Sequence, residues 1–434
     1  MQQSNTFSRG FFMWLCAATF YGFQFILRVS PSVMAQDLMS ALAVEACTLG
    51  ALASFYYWGY SIMQIPAGLF LDSIGPRKPL TIACILCFLG ALLFASGHHI
   101  SILSLGRFLM GIGSAFGFLT CIRIASTWFS ADKLALFVGF TLALGTAGAT
   151  SGGLPLALLV QATNWQTTIY ILASLSLILA IVIWMVIADD ETSSQKFSQK
   201  SLSNSKASLK SIGQLIFDIA RNPQTWLFGA YGFLMYIPLS GFADLWGVPY
   251  LMQAFKVERE VAAGAISTFY VGVGIGGPLW SWIVSFLQSY RRSMVLSAVV
   301  TFIFLSIVIY FPHLSFNAIY SLFFIAGAAS SGQFLAFASI TDINTRERAA
   351  TASGMHNMLC MFSGILMQPV IGKILDLVWS GERVDGSPYY SLSDYQLALA
   401  IVPLSLIIAV VTVFFIRETY PAVSIKKEFV KQEG

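Results

Sequence analysis

Residues 68–80 read GLFLDSIGPRKPL. An apolar run closes on an aspartate, turns through Gly75-Pro76, meets the cations Arg77 and Lys78, and enters a second apolar run. Glycine permits such a turn, and proline steers the residue before it away from helix. The flanking runs, 50–70 and 79–97, each have the roughly 20 residues that an α-helix needs to cross hydrocarbon. The stretch reads as two antiparallel spans joined by a short basic turn at a membrane surface.

The remaining chain repeats that pattern. Of 434 residues, 57% are hydrophobic and 10% are charged, against about 25% charged in a soluble domain. The apolar runs are long and continuous, unlike the alternating strands of a barrel, and within a bilayer only helices or closed barrels satisfy every backbone group. Twelve helices are expected, over 11–30, 50–70, 79–97, 101–128, 134–158, 167–188, 225–246, 262–285, 293–311, 315–340, 349–375 and 395–416. The expected fold is an all-α membrane protein with six helices in each of two bundles, 1–188 and 223–418. A linker, 189–222, rich in Ser and Lys, joins them, and a tail, 419–434, follows. The linker has too little apolar surface to build a core. The first apolar run lacks a small-residue cleavage site and reads as a retained span. Six cysteines lie mostly inside apolar runs. Cys84 and Cys87 form a CxxC with no further ligand nearby, so they read as helix packing; no metal or cofactor is expected.

Lys and Arg set the orientation. With the N-terminus inside, seventeen fall on the cytoplasmic side, and Lys256, Arg259, Lys373 and Arg383 fall opposite. Both termini are expected in the cytoplasm. The chain also echoes itself. RVSPSVMAQDL ends the first helix and WGVPYLMQAF the seventh, matching Pro31 to Pro249 and Met34 to Met252. GLFLDSIGPRK follows the second helix and SWIVSFLQSYRR the eighth, with Ser285 in place of Asp72 while Arg291 and Arg292 remain. Repeated halves place a solute site at their interface, near the midplane.

Gly68, Asp72, Gly75, Arg77 and Lys78 carry a resemblance to the signature loop of the major facilitator superfamily, with Ser73 where a basic residue is common. GRFLMGIGSAFGF, through Arg107, Gly111 and Gly113, is similar to that family's second motif. GTAGATSGG resembles the glycine-rich motif of its drug/proton antiporters but has Ala149 in place of their proline. QFILRVSPSVM, LWGVPYLM and GMHNM look like the phagosomal amino-acid transporters of intracellular bacteria, and like broader facilitators of small carboxylates and dipeptides. The resemblance implies a carrier with a cavity lined by the first helix. It also implies a gate at the Gly68–Lys78 loop, where Gly68 allows close helix contact and Arg77 and Lys78 pair with acids across the halves.

Charge inside a membrane is costly and marks function unless it snorkels to the surface. Tyr21, Gln24 and Arg28 share one face of the first helix, and the planar guanidinium suits a carboxylate. Tyr57, Tyr60 and Gln64 form a stripe on the second helix, with Trp58 beside it. Arg107 and Arg123 are interior charges of the fourth, the latter close to the cytoplasm. The seventh helix offers Tyr236 and Asp244, the eighth Thr268 and Tyr270, the tenth Gln333, the eleventh His356 and Asn357. Aromatic stripes and a lone histidine are also ordinary packing. Cations in one half and an acid in the other suit a small zwitterion, with its carboxylate at Arg28 and its amine at Asp244.

No nucleophile–base pair, metal cluster or phosphate loop stands out, so an enzyme is not expected. The basic residues hug membrane edges, so nucleic acid is not expected either. The expectation is a monomeric secondary transporter in a bacterial inner membrane, moving an amino acid or similar solute, with proton symport open. Alternatives are an organic-anion or siderophore-type carrier, which needs only the arginines, and a non-transporting membrane sensor.

Overall fold

The computed structural model describes residues 2–188, 214, 217–345, 348–384 and 386–420. Most of the linker and the tail beyond residue 420 therefore lie outside the described residues, as do Arg346 and the side chain of Asp72.

Among the described residues, eleven helices are long and apolar enough to cross a membrane: Phe7–Val33, Arg77–Ser96, Ile100–Trp128, Leu136–Ala162, Trp165–Val186, Pro223–Phe255, Arg259–Leu287, Tyr290–Tyr310, Phe316–Asp342, Thr351–Val378 and Leu392–Phe415. The twelfth, Ala46–Leu71, follows the short helix Ala35–Leu42 at a 115° bend. Numbered in chain order, Phe7–Val33 is span 1, Ala46–Leu71 span 2 and Leu392–Phe415 span 12. Counted over the described residues, twelve crossings bring Phe7, at the start of span 1, and Phe415, at the end of span 12, to one face of the bundle, the terminal face; the other is the distal face. A two-residue hairpin, Arg383–Val384 with Ser387–Pro388, sits in the distal loop between spans 11 and 12.

Several spans break where the sequence weakens the helix. Span 4 is interrupted at Ala115 and span 10 by a 3-10 turn, Ser331–Phe334, corresponding positions of the two halves. Span 7 runs on past its expected end at 246 to Phe255 through a π-helical stretch, Pro238–Trp246. Pro238 has no N–H to close the α ladder, and a π stretch absorbs the mismatch. Span 11 covers the loosened backbone: Gln368 Nε2 donates to the Ser240 carbonyl at 2.9 Å, and Trp246 Nε1 to the Gln368 carbonyl at 3.0 Å.

Glycines let spans meet backbone to backbone. In GTAGATSGG, a Cβ on Gly148 would strike the backbone of Gly22, and one on Gly145 the ring of Tyr21. Those glycines dock span 5 onto span 1. The basic turns after spans 2 and 8 act alike. Arg77 Nε donates to the Trp184 carbonyl at 2.9 Å, at the end of span 6, and Arg291 Nη2 to the Phe414 carbonyl at 3.1 Å, at the end of span 12. Gly75 has φ +78°, the left-handed region that its turn requires.

Spans 2 and 11 run antiparallel along the seam between the halves. From the distal face inward, Ala46 meets Gly372, Gly50 meets Gln368, Tyr57 meets Gly364, Trp58 meets Phe362, and Gln64 meets Asn357. Nearer the terminal face the contact ends: a Cβ on Gly68 or Gly354 would find nothing within 4 Å. The expectation that Gly68 brings helices close is corrected here, because the halves are shut at the distal face and parted at the terminal one.

Candidate functional site: a buried ion pair at the seam

Arg28 and Asp244 meet across the two halves. They are 4% and 2% exposed, so neither snorkels. Arg28 Nε donates to Asp244 Oδ2 at 2.9 Å and to the Tyr57 hydroxyl at 3.1 Å. Arg28 Nη2 donates to the Tyr236 hydroxyl. The hydroxyls of Tyr57 and Tyr270 donate to Asp244 Oδ2 and Oδ1. The guanidinium carbon lies 4.9 Å from the Tyr57 ring centre and 5.3 Å from those of Tyr236 and Phe25. Spans 1 and 2 thus supply a cation and a phenol, and spans 7 and 8 supply an acid and two phenols. Two buried ions recover their hydration only through good mutual geometry and further hydrogen bonds, and this cluster provides both.

Arg107 supports the cluster without entering it. It is 1% exposed and donates to the carbonyls of Leu27 (2.6 Å), Arg28 (3.0 Å) and Ala53 (3.5 Å). It pins spans 1 and 2 to span 4 beneath the ring of Tyr56, 4.9 Å away. Its charge meets carbonyl dipoles rather than a carboxylate, which leaves the neighbourhood of Arg28 and Asp244 with an excess of positive charge.

The other expected residues divide. Gln24 turns aside and accepts from the Tyr56 hydroxyl at 2.6 Å. Tyr21 packs against Phe25 and Phe118. The expected single wall of Tyr21, Gln24 and Arg28 is therefore split. On a helix those positions spread over about 60°, enough for Gln24 to face span 2 while Arg28 faces span 7. Tyr60 stacks on Tyr56, 6.4 Å between ring centres. Asn357 Nδ2 donates to Gln64 Oε1 at 3.1 Å, a second bridge between halves, half-buried on the terminal side of the ion pair. Gln333 is buried on span 10 with its Nε2 unpartnered among the described residues. His356 is fully buried against Phe337, with Nε2 3.5 Å from Cys360 Sγ. Thr268 donates to carbonyls of its own and the neighbouring span. Arg123 is half-buried near the terminal face.

In the motif loop, Arg77 was expected to pair across the halves. It also lies 4.1 Å from the Trp184 ring centre, so the contacts just described lie within its own half, as the parted terminal face requires. Lys78 is exposed.

Three phenols thus surround one buried ion pair, the cluster drawn from four spans. A family model described as Major Facilitator Superfamily matches residues 13–247 and 239–433. The chain belongs to the Major Facilitator Superfamily. Among its relatives, the probable sulfoacetate transporter SauU of Cupriavidus necator is 26% identical over 157 residues, 36% of each chain. That match spans about a third of the relative's length. The hexuronate transporter of Bacillus subtilis is 22% identical over 372 residues, 80% of this chain and 84% of that one. A solved structure of the nucleoside transporter NupG superposes with a TM-score of 0.73 at 15% identity, covering 93% of this chain and 99% of that one. This facilitator is a multi-pass membrane protein.

The sequence reading missed Tyr56, the partner of Gln24, and Asp376 on span 11. Tyr56 adjoins the striped position Tyr57 and looked like its packing neighbour. Asp376 repeats at the end of span 11 the Gly-x-x-x-Asp that closes span 2, a signal present in Gly372–Asp376 but not read.

Proposed function

We propose that this facilitator carries a small zwitterion, such as an amino acid, across a bacterial inner membrane by alternating access. The Arg28–Asp244 pair supports this reading. A guanidinium holding a carboxylate, and a carboxylate holding a cation, are the two half-sites of a zwitterion already occupied by each other. A zwitterion replaces both partners at once and leaves no buried charge unmatched. A plain anion on Arg28 would strand Asp244, and an unpaired buried charge costs several kcal/mol, so its entry would require a proton as well. The unit is proposed as a monomer of two halves, 1–188 and 223–418, with both termini in the cytoplasm on the Lys/Arg bias.

A second reading, a carrier of organic anions, is favoured by the excess positive charge that Arg107 leaves near Arg28 and by the solutes named for the relatives. Uptake into proteoliposomes of labelled amino acids, sugar acids and sulfonates separates the two. The zwitterion reading expects amino-acid uptake that is independent of a pH gradient and falls at least tenfold in Asp244→Asn. Uptake of an anion that is gradient-driven in the parent and persists without the gradient in Asp244→Asn overturns it in favour of the second reading. Ligand binding without flux would instead mark a sensor.

A further inference from the structure

Spans 2 and 11 end on the same short pattern. Span 2 closes with Gly68-Leu69-Phe70-Leu71-Asp72 and span 11 with Gly372-Lys373-Ile374-Leu375-Asp376. Because the spans are antiparallel, each aspartate stands at the opposite end of one seam. At the distal end the arrangement is complete. Asp376 Oδ1 accepts from the Ala46 backbone N–H at 3.0 Å and Oδ2 from that of Cys47 at 2.8 Å. The Tyr390 hydroxyl, from the loop after span 11, donates to Asp376 Oδ1 at 2.6 Å and accepts from Ala46 N–H at 3.0 Å. Glu45, which precedes span 2, makes no side-chain capping bond of its own. Its role falls to a carboxylate from the other half of the molecule. A Cβ on Gly372 would strike the Ala46 backbone, so the glycine four residues before Asp376 lets the carboxylate reach the helix end.

We propose that Asp376 is the distal latch of the carrier: a cap supplied in trans that holds spans 2 and 11 together when the site faces the terminal side and must be released for the site to face the distal side. The free N–H groups and partial positive charge of a helix start bind a carboxylate well. Because the start of span 2 and Asp376 belong to different halves, separating the halves at this face breaks both backbone bonds together. Gly372–Asp376 thus repeats, at the distal end of the seam, the Gly-x-x-x-Asp spacing of Gly68–Asp72. Two auxiliary contacts lie on the same face: Arg259 with Asp37 at 2.8 Å, and the Ser387 hydroxyl donating to the Gln36 carbonyl at 3.4 Å. Both also join one half to the other.

The inference concerns which face is open and holds whatever the solute is. Cys47 at the latch is a built-in reporter, and Ser54→Cys, two turns deeper on span 2, is a second. In full-length protein with the other cysteines replaced, each is labelled in vesicles by an impermeant maleimide from the distal side. Asp376→Asn, which keeps the shape, is expected to label roughly tenfold faster at both sites, since losing a cap shifts an equilibrium by about that factor. Tyr390→Phe, which removes one donor, is expected to fall between it and the parent. Faster labelling at Cys47 alone would mean that Asp376 merely caps a helix end, and overturns the latch; so would no change at either site. Solute uptake, measured separately, tests the zwitterion reading and does not enter this result.

Discussion

The two ends of the seam between spans 2 and 11 differ, although the helices that form them are continuous. At the distal end, glycines bring backbones into contact, and Asp376 and Tyr390 cap the start of span 2. At the terminal end, Gly68 and Gly354 face open space. The change occurs past Gln64–Asn357, on the terminal side of the Arg28–Asp244 pair. One rigid pair of helices can thus be shut above a site and open below it, which is what access from one side at a time requires.

The largest effect that separates the two ends is expected from Arg28→Ala. Removing one partner of a buried pair costs about 3–5 kcal/mol because it strands the other charge, so thermal melting should show a marked loss of stability together with loss of uptake. Unchanged melting would mean that Asp244 finds water instead. Next, Gly372→Ala at the closed end should cost roughly 1–3 kcal/mol by overpacking. Gly354→Ala at the open end should be neutral or stabilising by up to about 1 kcal/mol, the helix preference for alanine. Equal effects at the two positions would remove the asymmetry. A double-mutant cycle on Gln64→Ala and Asn357→Ala should give a coupling of about 0.5–1.5 kcal/mol, the worth of one hydrogen bond; zero coupling would move the point of parting toward the distal face.

The smallest effect lies outside the spans. Burial pushes the Glu418 carboxyl up, but the Ser289 hydroxyl and the backbone N–H groups of Tyr420, Arg291 and Tyr290 outweigh it and hold the group below the usual carboxylate range. A lowered folded value stabilises above the unfolded value and fades as pH falls through the folded one. Glu418→Gln should therefore lower melting temperature slightly near pH 7, with the difference shrinking toward pH 3. A difference independent of pH would mean that the charge plays no part.

The fold was legible because the bilayer imposes it. Hydrocarbon leaves the helix as the way to bury an apolar run of this length, and GLFLDSIGPRKPL marks one turn of the repeat. Arg28, Tyr57, Tyr236 and Asp244 were legible as candidates for a like reason, since polar groups in a span need partners. Their partners were not. Nothing in the spacing of Arg28 and Asp244, 216 residues apart, says that they touch, and a one-face argument on span 1 could not tell that Gln24 turns to Tyr56. Arg107 illustrates the same limit. Its position in a glycine-rich helix was readable, but the three carbonyls that it gathers exist only once spans 1, 2 and 4 are packed. The parted terminal face was not readable, because Gly68 and Gly354 look in the sequence like the glycines that do bring spans together, such as Gly364 and Gly372.

The central claim is that the Arg28–Asp244 pair serves the solute rather than the fold. Replacing both partners with apolar residues of similar size removes the charges without stranding either, and such swaps are often neutral or stabilising. Calorimetric titration of purified Arg28→Met/Asp244→Leu with the solute that the parent protein transports, alongside thermal melting, tests the claim directly. The account predicts melting at or above that of the parent and no detectable binding. Binding within about twofold of the parent, in a protein that melts normally, would contradict it.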